Sequence, residues 1–274
     1  MRVGHKITTN MDIIVNERYN SITDFKKSLE RKKIGKMYDE SNEYKFTKDF
    51  CGTSTHKEAD ELLINGDTFT AKIIEGCNKN KRLNRTTNTI KQDFCGFVPN
   101  VGAVVSGSPI NMYNVKQTTY RNTKVLNIVY FIGAHCNIKT KELSAAGAKL
   151  LNVVNTLEAQ GYRVNLFAAR CVIPIINGKQ QSNSRLNLAI KIKDSGKHLN
   201  ITKIAYPVAH PSFFRRHCFA WADTVCKNIT DTYSSTDTKI LKAAADKICK
   251  GAKFVNFYTL NKQSEEDILR YILG

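Results

Sequence analysis

Val125-Leu126-Asn127-Ile128-Val129-Tyr130-Phe131-Ile132 is an apolar run that ends in the polar turn Gly133-Ala134-His135-Cys136-Asn137. After it comes a segment from about Thr140 to Gln160, and Gly161 separates that segment from a second run, Arg163-Val164-Asn165-Leu166-Phe167-Ala168-Ala169-Arg170-Cys171-Val172-Ile173. In the middle segment Leu143, Ala146, Leu150, Val153, Val154 and Leu157 recur at three- and four-residue spacing and share one helix face. Lys141, Lys149, Asn152, Asn155 and Glu158 fall elsewhere. Two short apolar runs joined by such a helix are the pattern of a parallel βαβ crossover, because strands covered on both faces lose the strict alternation of a half-wet sheet. The expectation is an α/β fold with a central, mostly parallel sheet flanked by helices.

Downstream, Asn177-Gly178 predicts a hairpin turn. In Arg185 to Lys193 the residues Leu186, Leu188, Ile190 and Ile192 share one face, which suits an antiparallel or edge strand whose other face, with Asn187, Ala189, Lys191 and Lys193, is wet. A helix is expected from Pro211 through Asp223, where the proline stands in the first turn and its missing donor costs nothing. Lys239 to Ile248 reads as a helix, Lys253 to Tyr258 as a strand and Ser264 to Ile272 as a helix. Upstream, Ser54 or Thr55 with Glu58 caps a short helix that Asn65-Gly66 stops, and Thr68 to about Cys77 continues as another. Phe94 to Val125 is punctuated by Gly96, Pro99, Asn100, Gly102, Gly107 and Pro109 and reads as loops crossing the sheet end. Nine basic and seven acidic residues alternate between Glu17 and Asp49, so residues 1–50 are expected to form a charged helical arm outside the core. Residues 51–274 then make a single α/β domain.

Lys and Arg number 42 against 24 Asp and Glu, a formal charge of +18, and such a field draws in polyanions. Nucleic acid is the expected partner. The chain carries no run of about eighteen apolar residues, and its first twenty residues carry charged and polar groups throughout, so neither a membrane span nor a secretory signal is expected. The eight cysteines lie far apart with no close pairs, which suits free thiols in a reducing compartment better than a zinc site. Cys218 and Cys226 lie near His210 and His217 and keep a metal formally open; the expectation is no metal and no cofactor.

The best phosphate-facing stretch is Lys79-Asn80-Lys81-Arg82-Leu83-Asn84-Arg85, with four cations and no acid, although a solvated helix end has the same composition. Arg215 and Arg216 are expected to add to the same basic surface, which would bind without strong sequence preference, since no base-reading motif is present. An enzyme would have to be built from His135, Cys136, Asp194, His210, His217 or Asp223. Asp194 before Ser195-Gly196 reads as a turn aspartate, Cys136 has no base beside it that points its way, and His210 before Pro211 reads as an anchor that bonds backbone. His210, Pro211 and His217 therefore count as a structural motif, and the chain as a binding or assembly protein without catalytic residues.

Four blocks occur in a specific order: Cys51-Gly52-Thr53 with Glu58-Ala59-Asp60; Pro99-Asn100-Val101 with Gly107-Ser108-Pro109; Leu157 to Val164; and Lys191 to Gly196 with Tyr206 to Pro211 and Arg215-Arg216-His217. Over roughly residues 50–225 they resemble a family of uncharacterised tailed-bacteriophage proteins. That resemblance brings no established activity. It implies the host cytoplasm or the virion as the place of action and phage structural proteins as further partners. The central unit is also similar to a von Willebrand A type domain, a Rossmann-like parallel sheet between helices. Such domains hold a metal on an Asp-x-Ser-x-Ser turn, and Gly133 to Asn137 lacks the aspartate and both hydroxyls.

Overall fold

The computed structural model describes residues 3–8, 13–30, 48–77, 86–119, 124–135, 137–226 and 229–274. In chain order the first elements are β1 (Val3–Thr8), β2 (Ile13–Tyr19), α1 (Ile22–Glu30), α2 (Lys48–Cys51), α3 (His56–Asn65) and α4 (Thr68–Cys77). They are followed by β3 (Thr86–Asp93), β4 (Val98–Pro99), α5 (Val101–Val105), β5 (Met112–Thr119), β6 (Val125–Phe131), α6 (Thr140–Ala159) and β7 (Arg163–Ile176). The remainder comprises β8 (Lys179–Gln180), β9 (Arg185–Lys193), α7 (Ile201–Ala209), a π turn (Phe213–His217), α8 (Cys218–Val225) and β10 (Ile229–Ser234). The chain closes with α9 (Thr238–Ile248), β11 (Lys253–Asn256), α10 (Phe257–Lys262) and α11 (Glu265–Leu273).

The expected crossover is present. β6 and β7 pair in parallel from Val125 opposite Arg163 to Phe131 opposite Ala169, and α6 carries the chain between them. β11 adds in parallel to the far edge of β6, with Lys253 opposite Ile128. β9 meets the other edge of β7 antiparallel, β2 joins β9 in parallel and β1 closes that side antiparallel. The order is β1-β2-β9-β7-β6-β11, and β8 and β10 both pair with the C-terminal part of the long β7. At the β7–β8 turn Asn177 (φ 50°) and Gly178 (φ 75°) take the left-handed backbone that a tight two-residue hairpin needs. The protein is mixed α/β: a sheet with parallel strands at its centre, flanked by helices.

Both faces of that sheet are buried. On one, α6 packs with Leu143, Leu150, Leu151, Val153, Val154 and Leu157, joined by residues of α4, α7 and α8. Gly147 lets α7 come close, because a Cβ there would sit 2.7 Å from that of Ala209. On the other face α9 supplies Leu241, Ala244, Ala245 and Ile248 against Val129, Phe131, Phe167, Ala169, Cys171 and Ala189. Burying a Leu or Ile this fully stabilises by roughly 1.5–3 kcal/mol, so α9 holds its face with a few side chains.

This second cover corrects the reading of β9 as half wet: Asn187 and Ala189 are buried, and Lys193, opposite Leu166 beyond a register shift, is buried on the α6 side. Lys193 is paired there with Glu158 and donates to the carbonyls of Val164 (3.2 Å) and Lys197 (3.1 Å). The helical character expected for residues 1–50 is also corrected, since residues 3–8 and 13–19 are strands. Val15, Glu17 and Tyr19 point inward from β2, and α1 adds Phe25 and Leu29 to the core, so residues 13–30 are part of the packed body. Arg18, on the opposite side of β2, lies over the Phe167 ring (4.8 Å) and donates to the carbonyl of Ile248 at the end of α9 (2.7 Å). The turn-rich stretch after Phe94 is not a set of loops over the sheet end. β3, β5 and β4 form a separate antiparallel sheet, with Ile90 opposite Val115 and Tyr113 opposite Val98. The strand at Lys253 stops at Asn256, whose side chain accepts from the Thr259 amide (2.8 Å) and starts α10.

Candidate functional site

α7 starts at Asn200, whose side chain accepts from the Lys203 amide (3.1 Å), and ends at His210. Nδ1 of His210 accepts from the Ser212 amide (3.2 Å), so the imidazole fixes the step from α7 into the next helical segment at Pro211. The backbone then widens. Cys218 N–H bonds the carbonyl of Phe213, five residues back, and all of Phe213, Phe214, Arg215, Arg216 and His217 are buried. A helical stretch buried around its whole circumference needs a partner on every side, and for Arg215, Arg216 and His217 those partners are polar.

Arg215 and Arg216 lie inside the protein, at 2% and 3% exposure, which corrects their assignment to a basic surface. Arg215 donates to the carbonyls of Phe50 (2.5 Å), His135 (3.2 Å) and Ile138 (3.4 Å), and its guanidinium stacks on the rings of Phe50 (4.4 Å) and Phe214 (4.9 Å). Arg216 donates through Nε to Thr53 Oγ1 (2.8 Å) and through Nη2 to the carbonyls of Thr53 (2.8 Å) and Ser54 (3.2 Å). With Ser212 Oγ donating to the Cys51 carbonyl (2.6 Å), the Thr53 hydroxyl is left to donate to Ser212 Oγ (2.8 Å). The polar contacts thus form a directed chain from Arg216 through Thr53 and Ser212 to Cys51. Gly52 makes room for it: its φ is +78°, and a Cβ would lie 2.7 Å from Pro211 Cγ. Two sequence blocks separated by about 150 residues, Cys51-Gly52-Thr53 and His210 to His217, are therefore one structural unit.

His217 completes it. Its Nδ1 lies 3.0 Å from the Tyr206 hydroxyl and its Nε2 2.8 Å from Asp60 Oδ1, while Asp60 Oδ2 is 3.5 Å from Nδ1 of His56. His56 and Asp60 stand one turn apart on α3, which Thr55 caps by accepting from the Glu58 amide (3.1 Å). Burial works to raise the Asp60 carboxyl, but the hydrogen bonds to His217 and His56 outweigh it and hold the group well below the usual carboxylate range. Burial pushes His217 down, against the pull of Asp60. The cluster is thus a carboxylate between two imidazoles, closed at the His217 end and reaching solvent at His56 and Asp60, whose side chains are 18% and 32% exposed. Sequence reasoning named His217 but neither Tyr206 nor Asp60 as its partner; the signal available was the four-residue spacing of His56 and Asp60 on a capped helix.

A family model described as a domain of unknown function, DUF7192, matches residues 6–271. The chain belongs to the DUF7192 family. No curated protein and no solved structure matches it.

Among the described residues, the other candidates of this DUF7192 domain do not gather into one site. Lys79, Lys81, Arg82 and Arg85 lie outside the described residues, as does Cys136. His135 offers its carbonyl to Arg215 and its Nδ1 to the Asn137 amide (3.3 Å). Asp194 accepts from the Gly196 amide (2.9 Å) and from Lys191 (2.6 Å), which makes it a turn residue with its charge paired. Burial pushes the thiols of Cys51 and Cys171 up to about 11 and that of Cys218 up to about 12, so these cysteines stay protonated near neutral pH and are poor nucleophiles.

A second feature lies apart from the core. From Ile90 to Val115 no residue is buried. Phe94 (68%), Val101 (69%) and Val105 (84%) are among nine large apolar side chains exposed there, with Ile90, Phe97, Val98, Val104, Ile110 and Val115. Ile90, Val115, Tyr113 and Val98 fall on one face of the small sheet by their register, and Val101, Val104 and Val105 fall on one face of α5.

Proposed function

We propose that this protein is a non-enzymatic assembly component of a tailed-phage particle, and that copies of it meet through the apolar module of residues 90–115. The resemblance of the four sequence blocks to tailed-phage proteins supports the setting. The observation that carries the reading is the exposed apolar surface. A protein that keeps nine large apolar side chains in water, within residues 90–115 where no residue is buried, has a surface suited to burial against a partner. At their exposures these side chains offer on the order of 800 Å² per copy, about the share of one partner in a standard interface. A second copy is the occupant that charge favours. The chain carries +18, yet residues 90–115 contain only Lys91 and Asp93 as charged side chains, so this is where two copies can approach with least repulsion.

Sedimentation velocity tests the proposal. The wild type should show concentration-dependent association at or below about 100 µM, a range in which an interface of ~10 µM affinity is mostly filled. V101D and V105D, both at highly exposed positions, should abolish association while leaving the circular dichroism and melting curve unchanged. A wild type that stays monomeric at that concentration would overturn it.

A second reading, nucleic-acid binding, is favoured by the same net charge and by the acid-free run from Lys79 to Arg85. It predicts gel retardation of DNA or RNA at low salt. Reversing Lys81, Arg82 and Arg85 to glutamate should flatten the slope of log affinity against log salt by roughly one unit for each phosphate that is no longer neutralised. Binding by the reversed variant with an unchanged slope would rule out that stretch as the phosphate-facing surface.

A further inference from the structure

Two side chains of α3 and one of the π turn converge where these elements meet. Among the described residues, His56, Asp60 and His217 offer ligand atoms that all lie within 4.8 Å of one another. Two imidazoles and one carboxylate are a donor set suited to zinc and its first-row neighbours, and three protein ligands leave a fourth position for water or another ligand.

The surroundings favour such a role in two ways. The first is tautomeric. For Nε2 of His217 to bind a cation, its proton must sit on Nδ1, and the Tyr206 hydroxyl 3.0 Å from Nδ1 is placed to accept that proton and hold the ring in position. The second is access. His217 is fully buried, whereas His56 and Asp60 face partly outward, so an ion can enter from the α3 side without the core opening. The nearby Arg216 guanidinium is engaged by Thr53 and Ser54 at the start of α3.

We propose that His56, Asp60 and His217 bind one divalent transition-metal ion of the zinc class, with a coordination position open toward solvent. Tyr206 is a positioning residue, acting on the metal through His217. The site does not depend on the assembly reading above.

Isothermal titration of the full chain with Zn²⁺, under reducing conditions, is expected to give one saturable site per chain. Titration with Co²⁺ should show visible ligand-field absorption without the intense near-ultraviolet band of thiolate ligation, which separates this site from the cysteines. H56A and D60N, both at partly exposed positions, should each weaken Zn²⁺ binding by at least tenfold while the far-ultraviolet circular dichroism is kept, and Y206F should weaken it by about 10–100-fold. The absence of a saturable site in the wild type would overturn the proposal. So would binding that folded H56A and D60N both leave unchanged, or a cobalt spectrum dominated by thiolate.

Discussion

Arg216→Ala is expected to cost about 3–5 kcal/mol and to leave the protein close to its unfolding midpoint at physiological temperature. The guanidinium is almost fully buried and donates to the Thr53 hydroxyl and to the carbonyls of Thr53 and Ser54. Alanine returns none of these bonds, and each carbonyl left unpaired in the interior costs about 1–3 kcal/mol. The side-chain volume is lost too. Urea denaturation followed by circular dichroism gives the measurement, with the midpoint falling while the slope stays near its wild-type value. Arg216→Lys should recover less than half of the loss, because an ammonium cannot reproduce the bonds that run from Nε and Nη2 in fixed directions. Full recovery by lysine would mean that the charge, and not the geometry, is what this position needs.

Trp221→Ala is expected to cost a similar amount, about 3–5 kcal/mol, the range for emptying a buried aromatic position. Trp221 is fully buried, and its indole N–H donates to Glu17 Oε2 (2.8 Å), an oxygen that also accepts from the Tyr19 hydroxyl (2.5 Å). The change therefore opens a cavity and removes a donor from a buried carboxylate. Trp221→Phe separates the two effects: the ring volume is mostly kept, and the remaining loss of about 1–3 kcal/mol belongs to the hydrogen bond. Because Trp221 is the single tryptophan of the chain, wild-type fluorescence reports this one location, and its emission should shift to the red in step with the loss of circular dichroism if unfolding is two-state. The alanine variant melting within a degree or two of wild type would show that the packing around α8 relaxes far more than its burial indicates.

What was readable in the sequence was whatever depends on apolar periodicity. β6, α6 and β7 formed as their patterns predict, and Thr55 caps its helix as its position indicates. Among what escaped are places where a charge goes inside. Glu17 and Arg18 make Ile13–Tyr19 look like a solvated segment, yet Glu17 accepts from Trp221, more than two hundred residues away, and Arg18 donates to the end of α9. Arg215 and Arg216 look like a surface pair because nothing in their neighbourhood supplies acceptors; the acceptors are backbone carbonyls around Phe50 to Ser54 and His135 to Ile138. Side-chain type signals burial for a leucine, but for an arginine burial depends on a distant backbone that periodicity cannot reveal. The same limit hid the His56–Asp60–His217 cluster, whose third member comes from a segment about 160 positions away.

The π turn at Phe213–His217 acts as a phase setter between two alignments that otherwise have nothing in common. Upstream of it, Ser212 is docked on the Cys51 carbonyl; downstream, Trp221 is docked on Glu17. An ordinary helix advances about 100° per residue, so shortening this stretch by one residue and letting it close in α geometry would turn one dock away whenever the other is engaged. Substitutions within the stretch act on one side chain at a time, whereas a single-residue deletion would dissolve the angular relation between the two ends. Length, more than composition, is the property that this segment has to keep.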